Sequence, residues 1–183
     1  MSAPPAWCRD DEGLPPCLRG NFRPVVGDAT VDGLEVTEGA IPSDLQGVFA
    51  RNGPNWAHEP MYPQKAHWFD GDGMIHYVRI EDGKAQYGRR AVRTRGYQEE
   101  QRAKQALHVG MLDLHVIPDV FMPRLAAKVM QDVRGPDAPF WVVQNKNNAN
   151  NGLTYHAGRL LATWEAGWAY ELALDGSLDA LGP

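Results

Sequence analysis

The chain has 183 residues, 43% of them hydrophobic and 22% charged, with a net charge of −5. That is enough apolar matter for one core, and the acidic balance excludes a polybasic nucleic-acid surface. No apolar run reaches the roughly eighteen residues a membrane-spanning helix needs, and the opening MSAPPAWCRDDEGLPP lacks the basic-then-apolar order of a secretory signal. A cytoplasmic location is therefore expected.

Residues 1–20 are rich in Pro and mixed in charge, and read as a flexible head. Cys8 and Cys17 both lie there. One disulfide between them is geometrically feasible, but a reduced pair is the preferred reading. From Asn21 to Glu38 no period is clear. GVFARNGPNW reads as a short strand, Gly47 to Arg51, running into an Asn-Gly-Pro turn at Asn52 to Pro54.

HWFDGDGMIHYVRIEDGKAQY, His67 to Tyr87, carries the densest local signal. His67 to Phe69 reads as the end of a strand. Asp70-Gly71-Asp72-Gly73 reads as a tight turn whose glycines take positive φ. Met74 to Ile80 is the next strand, with Met74, His76, Val78 and Ile80 on its apolar face. Asp82-Gly83 is a hairpin turn, and Lys84 to Thr94 a third strand. Glu99 to Leu107 then favours helix. Phe121, Met122, Leu125, Val129 and Met130 recur at spacings of three and four, a second helical piece interrupted at Pro123. This insertion, about 97–134, is apolar enough to bury itself or to dip into a membrane surface.

Strands return at Phe140 to Asn145, Leu153 to Tyr155, Arg159 to Trp164 and Ala169 to Leu174. NKNNANNG is a polar corner between the first two of these. Turns fall at Ala157-Gly158 and Ala166-Gly167, and DGSLDALGP is a turn followed by an unfinished strand. Many short antiparallel strands with Gly turns fit an all-β propeller or sandwich. A propeller blade takes roughly 40–50 residues, so the chain holds about two blades of an incomplete ring.

The candidate chemistry competes with plainer readings. His67 and His76 flank Asp70 and Asp72, but neither a zinc spacing nor a calcium-loop pattern is met, and structural histidines are the preferred reading. His108 and His115 lack the glutamate of an HExxH motif, and His156 stands alone beside a turn. Glu165 ends an otherwise apolar strand, where a carboxylate calls for a partner. An imidazole N–H, as in the carboxylates that orient metal-bound histidines, competes there with a salt bridge to Arg159 or a neighbouring arginine. No nucleophile elbow, P-loop or GxGxxG motif occurs.

Three stretches carry a resemblance: IPSDLQGVFARNGPN, HWFDGDGMIHYVRIEDGKAQYGRRAVRT and NKNNANNGLTYHAGRLLATWEAGWAYELALDGSLDALGP. From Ile41 to Pro183 the chain resembles the amino-terminal part of the carotenoid cleavage oxygenases, a family with stilbene-cleaving and retinoid-isomerising members. The resemblance implies a seven-bladed β-propeller with a helical cap. It implies a non-haem Fe(2+) held by four histidines, three of them oriented by glutamates, and dioxygen as co-substrate for cleaving an apolar polyene. Imidazole ligands suit iron(II). Glu165 in LATWEAG matches the first of the orienting glutamates. Arg51, Asn52 and Gly53 match a structural RNGP word. Phe121, Met122 and Leu125 lie where the family has its membrane-facing insertion. No histidine of this chain falls on a family ligand position, and the first such position lies beyond Pro183, so the resemblance implies an amino-terminal fragment that is inactive alone. Threonine is usual in the family near the Ala149-Asn150 pair, where Asn148 and Asn151 stand here. The alternative from a different class is a non-catalytic β-structured scaffold, a degenerate member of the same family.

Overall fold

A computed structural model describes residues 4–108, 110, 112 and 146–183. The expected strand Phe140 to Asn145, the helical piece around Pro123, and His115 lie outside the described residues.

The described residues form two antiparallel four-stranded sheets. The first contains β1 (Ala29–Val31), β2 (Gly47–Asn55), β3 (Asp72–Glu81) and β4 (Lys84–Ala91), in the spatial order β1-β4-β3-β2. The second contains β5 (Gly152–His156), β6 (Arg159–Thr163), β7 (Tyr170–Leu172) and β8 (Ala180–Gly182), in simple sequence order. An α-helix, α1 (Arg95–Ala103), follows the first sheet. The Thr94 side chain caps it by accepting the Tyr97 N–H.

The local turns act as their residues dictate. Asp82 and Gly83 take φ of 50° and 68°, and Ala157 and Gly158 take 49° and 78°. Two successive positive φ values twist a two-residue hairpin the way its strands require. These turns fix the registers Glu81 opposite Lys84 and His156 opposite Arg159.

Between the sheets lies a core of Ile75, Val92, Ala149, Ala162, Tyr170 and Leu172, with Ala50, Leu153 and Leu160 packed against it. Full burial of Ile75 or Leu172 contributes about 1.5–3 kcal/mol each. Ile75 is fully buried in this core and Tyr77, two residues on, is also buried, so the principal core face of β3 is the opposite one from that expected. Met74 is buried too, on the other side, because other segments of the chain cover both faces of the first half of β3.

Several expectations are corrected by long-range packing. The Asn52 to Pro54 turn does not form: β2 runs through it to Asn55. Proline is tolerated there because β2 is an edge strand. His67 to Phe69 is not a strand end, since Trp68–Asp70 forms a 3₁₀ turn. Gly71 and Gly73 do not serve a positive-φ turn, because Gly71 has φ of −66° and Gly73 lies within β3. They admit close approach instead: a Cβ on Gly73 would lie 2.4 Å from the Ala149 carbonyl oxygen, and one on Gly71 2.8 Å from the Asn55 nitrogen.

The head read as flexible is packed at two points, with Cys8 and Leu18 fully buried. Cys8 is a free thiol, and Cys17 Sγ donates to the Ala66 carbonyl at 3.1 Å.

Candidate functional site

The polar corner at residues 146–151 proves to be the joint between the sheets. Asn148 Nδ2 donates to the Asp70 carbonyl at 3.1 Å, and Asn150 Nδ2 to the carbonyls of Phe69 and Gly71 at 2.7 and 2.6 Å. The Gly73 N–H donates to the Asn148 carbonyl at 2.8 Å. From the other side, Asn52 Nδ2 on β2 reaches the carbonyls of Ala149 and Gly152 at 2.6 and 3.2 Å. Carboxamides suit this work because each supplies donors to carbonyls that would otherwise be buried unpaired.

A buried ionic triad anchors the start of the joint. Lys146 Nζ lies 2.6 Å from Glu100 Oε2 on α1 and 2.9 Å from Asp72 Oδ1 on β3. The second contact is an ion pair without hydrogen-bond alignment. Glu100 Oε1 also accepts the N–H groups of Leu107 and His108 at 2.8 and 3.1 Å. Burial, reinforced by Glu100, raises the Asp72 carboxyl above its ordinary value against the pull of Lys146. Burial alone would lower Lys146, but its two carboxylate neighbours hold it above its ordinary value. Three residues so far apart in sequence leave no local signal: Asp72 drew notice only beside His67 and His76, and Glu100 and Lys146 not at all.

The described histidines lie apart, each with its own surroundings. His67 Nδ1 accepts the Phe69 N–H at 3.3 Å. His76 Nδ1 shares a 2.7 Å hydrogen bond with Tyr87 Oη, and burial followed by the charge of Arg89 lowers its pKa. His108 Nε2 is 3.4 Å from Glu99, His58 lies 3.1 Å from Gln101, and His156 is exposed at its hairpin. Among the described residues no three His, Cys, Asp or Glu side chains converge on a point that could hold a metal ion.

Glu165 is exposed just beyond β6. The salt bridge to Arg159 considered for it does not form, since Arg159 pairs with Glu171 at 2.6 Å. The backbone that carries Glu165 is nonetheless held firmly. Trp164 beside it is buried. Asn147 Nδ2 donates to the Trp168 carbonyl at 2.7 Å. A Cβ on Gly167 would come within 2.6 Å of the Asn147 amide and 2.8 Å of the Trp164 ring, so this turn closes only with glycine there. The result is a carboxylate presented to solvent from a clamped turn at the end of the second sheet. Phe121, Met122 and Leu125 lie outside the described residues. No helix among the described residues is long and apolar enough to cross a membrane.

The family described as retinal pigment epithelial membrane protein matches residues 22–183. The chain belongs to that family. These carotenoid cleavage oxygenases include a carotenoid 9,10(9',10')-cleavage dioxygenase of Crocus sativus, 37% identical over 171 residues, a match covering 91% of this chain and 30% of the relative. Among solved structures, the lignostilbene dioxygenase of Pseudomonas brassicacearum aligns with a TM-score of 0.68 at 25% identity, covering 92% of this chain and 30% of that one. A variant of the Synechocystis apocarotenoid oxygenase aligns with a TM-score of 0.60 at 32% identity, covering 85% and 29%. The chain thus spans about 30% of the length of the relatives it matches.

Proposed function

We propose that this chain forms the first two blades of a β-propeller oxygenase that uses iron(II) and dioxygen to cleave a conjugated double bond of a carotenoid or related polyene. Membership of the family supports the reaction class. The observation that carries the assignment within this chain is the clamped turn that presents Glu165 next to buried Trp164. Structures of the Synechocystis oxygenase include variants substituted at an adjacent tryptophan and glutamate. Trp164-Glu165 is the one such dipeptide here. In the same relative a threonine fourteen residues before that glutamate was also changed. By that spacing Asn151 takes the threonine's place, and its backbone N–H donates to the Thr163 carbonyl at 3.0 Å.

The described residues do not by themselves supply an iron site. When bound, the metal would activate dioxygen. The contribution of this chain is orientation: the Glu165 carboxylate accepts an imidazole N–H from a histidine elsewhere in the protein, fixing its tautomer and ring plane and raising its basicity. The two-sheet unit alone is expected to be inactive. The apolar residues Phe121, Met122 and Leu125 would serve contact with a membrane surface holding the substrate.

Glu165→Gln in the full-length protein tests the assignment, because it preserves size while weakening the acceptor. Iron retained after desalting and the rate of apocarotenoid cleavage are expected to fall together by about 10- to 100-fold. Wild-type values for both would return Glu165 to a purely structural role.

A further inference from the structure

Glu165 is exposed, so the position of its carboxylate is set by the backbone of the turn that carries it. One side chain touches that turn at two successive residues. Asn147 Nδ2 donates to the Trp168 carbonyl at 2.7 Å. A Cβ on Gly167 would come within 2.6 Å of the same nitrogen and 2.8 Å of the Trp164 ring. The other end of the carboxamide is also engaged, since Asn147 Oδ1 accepts the Ala149 N–H at 3.0 Å. The position therefore needs a donor and an acceptor at once. An aspartate of the same size would keep the acceptor and lose the donor.

Asn147 is itself held from behind. Lys146, the residue before it, has its Nζ 2.6 Å from Glu100 of α1 and 2.9 Å from Asp72 of β3. Its stem lies so close to α1 that a Cβ on Gly96 would fall 2.5 Å from Lys146 Cγ. Just past the turn, Tyr170 Oη accepts the N–H of Arg95, the first residue of α1, at 3.1 Å. The turn is thus tied to one helix twice, through Lys146 and Asn147 and through Tyr170. A carboxylate that orients an imidazole must stand within about 0.5 Å of its working place, and these ties fix its backbone.

We infer that Asn147 is a positioning residue for the metal centre. It touches no reacting group and acts by fixing the turn on which Glu165 meets its histidine, with Lys146 and α1 as its anchor. The inference rests on the reading of Glu165 given above, and its test separates the two.

Asn147→Asp and Glu165→Gln are made singly and together in the full-length protein, and iron retained after desalting is measured. Asn147→Asp alone is expected to hold iron about 2- to 30-fold more weakly, the range for side chains that act through others. The double variant is expected to lose no more than Glu165→Gln alone, because Asn147 then has nothing left to position. A second measurement uses iron-free protein labelled with fluorotryptophan. The Trp164 resonance, assigned as the one missing from Trp164→Phe, is expected to shift in Asn147→Asp and in Lys146→Met. It should stay in place in Gly83→Ala, which strains a hairpin of the first sheet instead. Losses that multiply in the double variant would overturn the inference, since Asn147 would then act independently of Glu165. So would an unmoved Trp164 resonance in Asn147→Asp, or iron lost from Glu165→Gln and none from Asn147→Asp. Iron kept in full by both single variants would overturn the reading of Glu165 itself, and the inference with it. The iron measurements decide even if Trp164→Phe fails to fold.

Discussion

Replacing Lys146 by Met tests whether the buried triad holds α1 to the joint. The side chains of Lys146, Asp72 and Glu100 are 6%, 4% and 3% exposed, and the Nζ contacts are 2.9 and 2.6 Å. At such distances, with an effective dielectric constant near 20, each attraction is on the order of 5 kcal/mol before desolvation is charged against it. Removing one partner of a buried ion pair typically costs about 3–5 kcal/mol, because a charge is left without compensation. Here two carboxylates would remain. Glu100 would keep its two backbone N–H donors, so the burden falls on Asp72, which burial already pushes toward protonation.

The pH dependence follows from the same geometry. Lys146 is held above 10.5 in the fold, so the stabilisation it carries is complete below that value and is lost as pH rises through its folded pKa. Asp72 lies above its ordinary 3.8, so its contribution also declines as pH rises, from 3.8 through its folded value. Removing the ammonium of Lys146 pushes Asp72 higher still. The deficit of Lys146→Met should therefore be about 3–5 kcal/mol at neutral pH and narrow in mild acid, where Asp72 takes up a proton. Urea unfolding of both proteins at the two pH values measures it, and Lys146→Met combined with Asp72→Asn should recover part of the loss. A deficit below about 1 kcal/mol, the size of an exposed pair, or one that does not change with pH, would refute the reasoning.

Two further substitutions probe the packing, beside Glu165→Gln above. Gly73→Ala would drive a methyl group into the Ala149 carbonyl at 2.4 Å, and should cost about 3 kcal/mol or more in urea unfolding, at the upper end for overpacking. Gly83→Ala, at φ of 68° with open space around it, should cost only about 1 kcal/mol. Leu18→Ala removes a fully buried side chain from the Pro-rich head, and a loss of about 2–5 kcal/mol in the melt is expected. An unchanged melt would mean that the head contributes nothing to folding.

What the sequence determined by itself is what neighbouring residues decide among themselves. The Asp82-Gly83 and Ala157-Gly158 turns need only residues that tolerate positive φ, and strands lie beside them as expected, although alternation assigned β3 the opposite core face. The family words were legible for the same reason, since they are contiguous. Tertiary structure decided the rest. β1 is three residues long and forms only because β4, more than fifty residues later, offers Arg89 to Tyr87 as its ladder. Asn52 to Pro54 has the composition of a turn, yet it is extended because the register of β2 on β3 and the donors sent to Ala149 and Gly152 outweigh local preference. The Lys146 triad draws on a strand, a helix and a loop. No window of sequence contains all three, and only the burial that removes water from them makes the pairing matter.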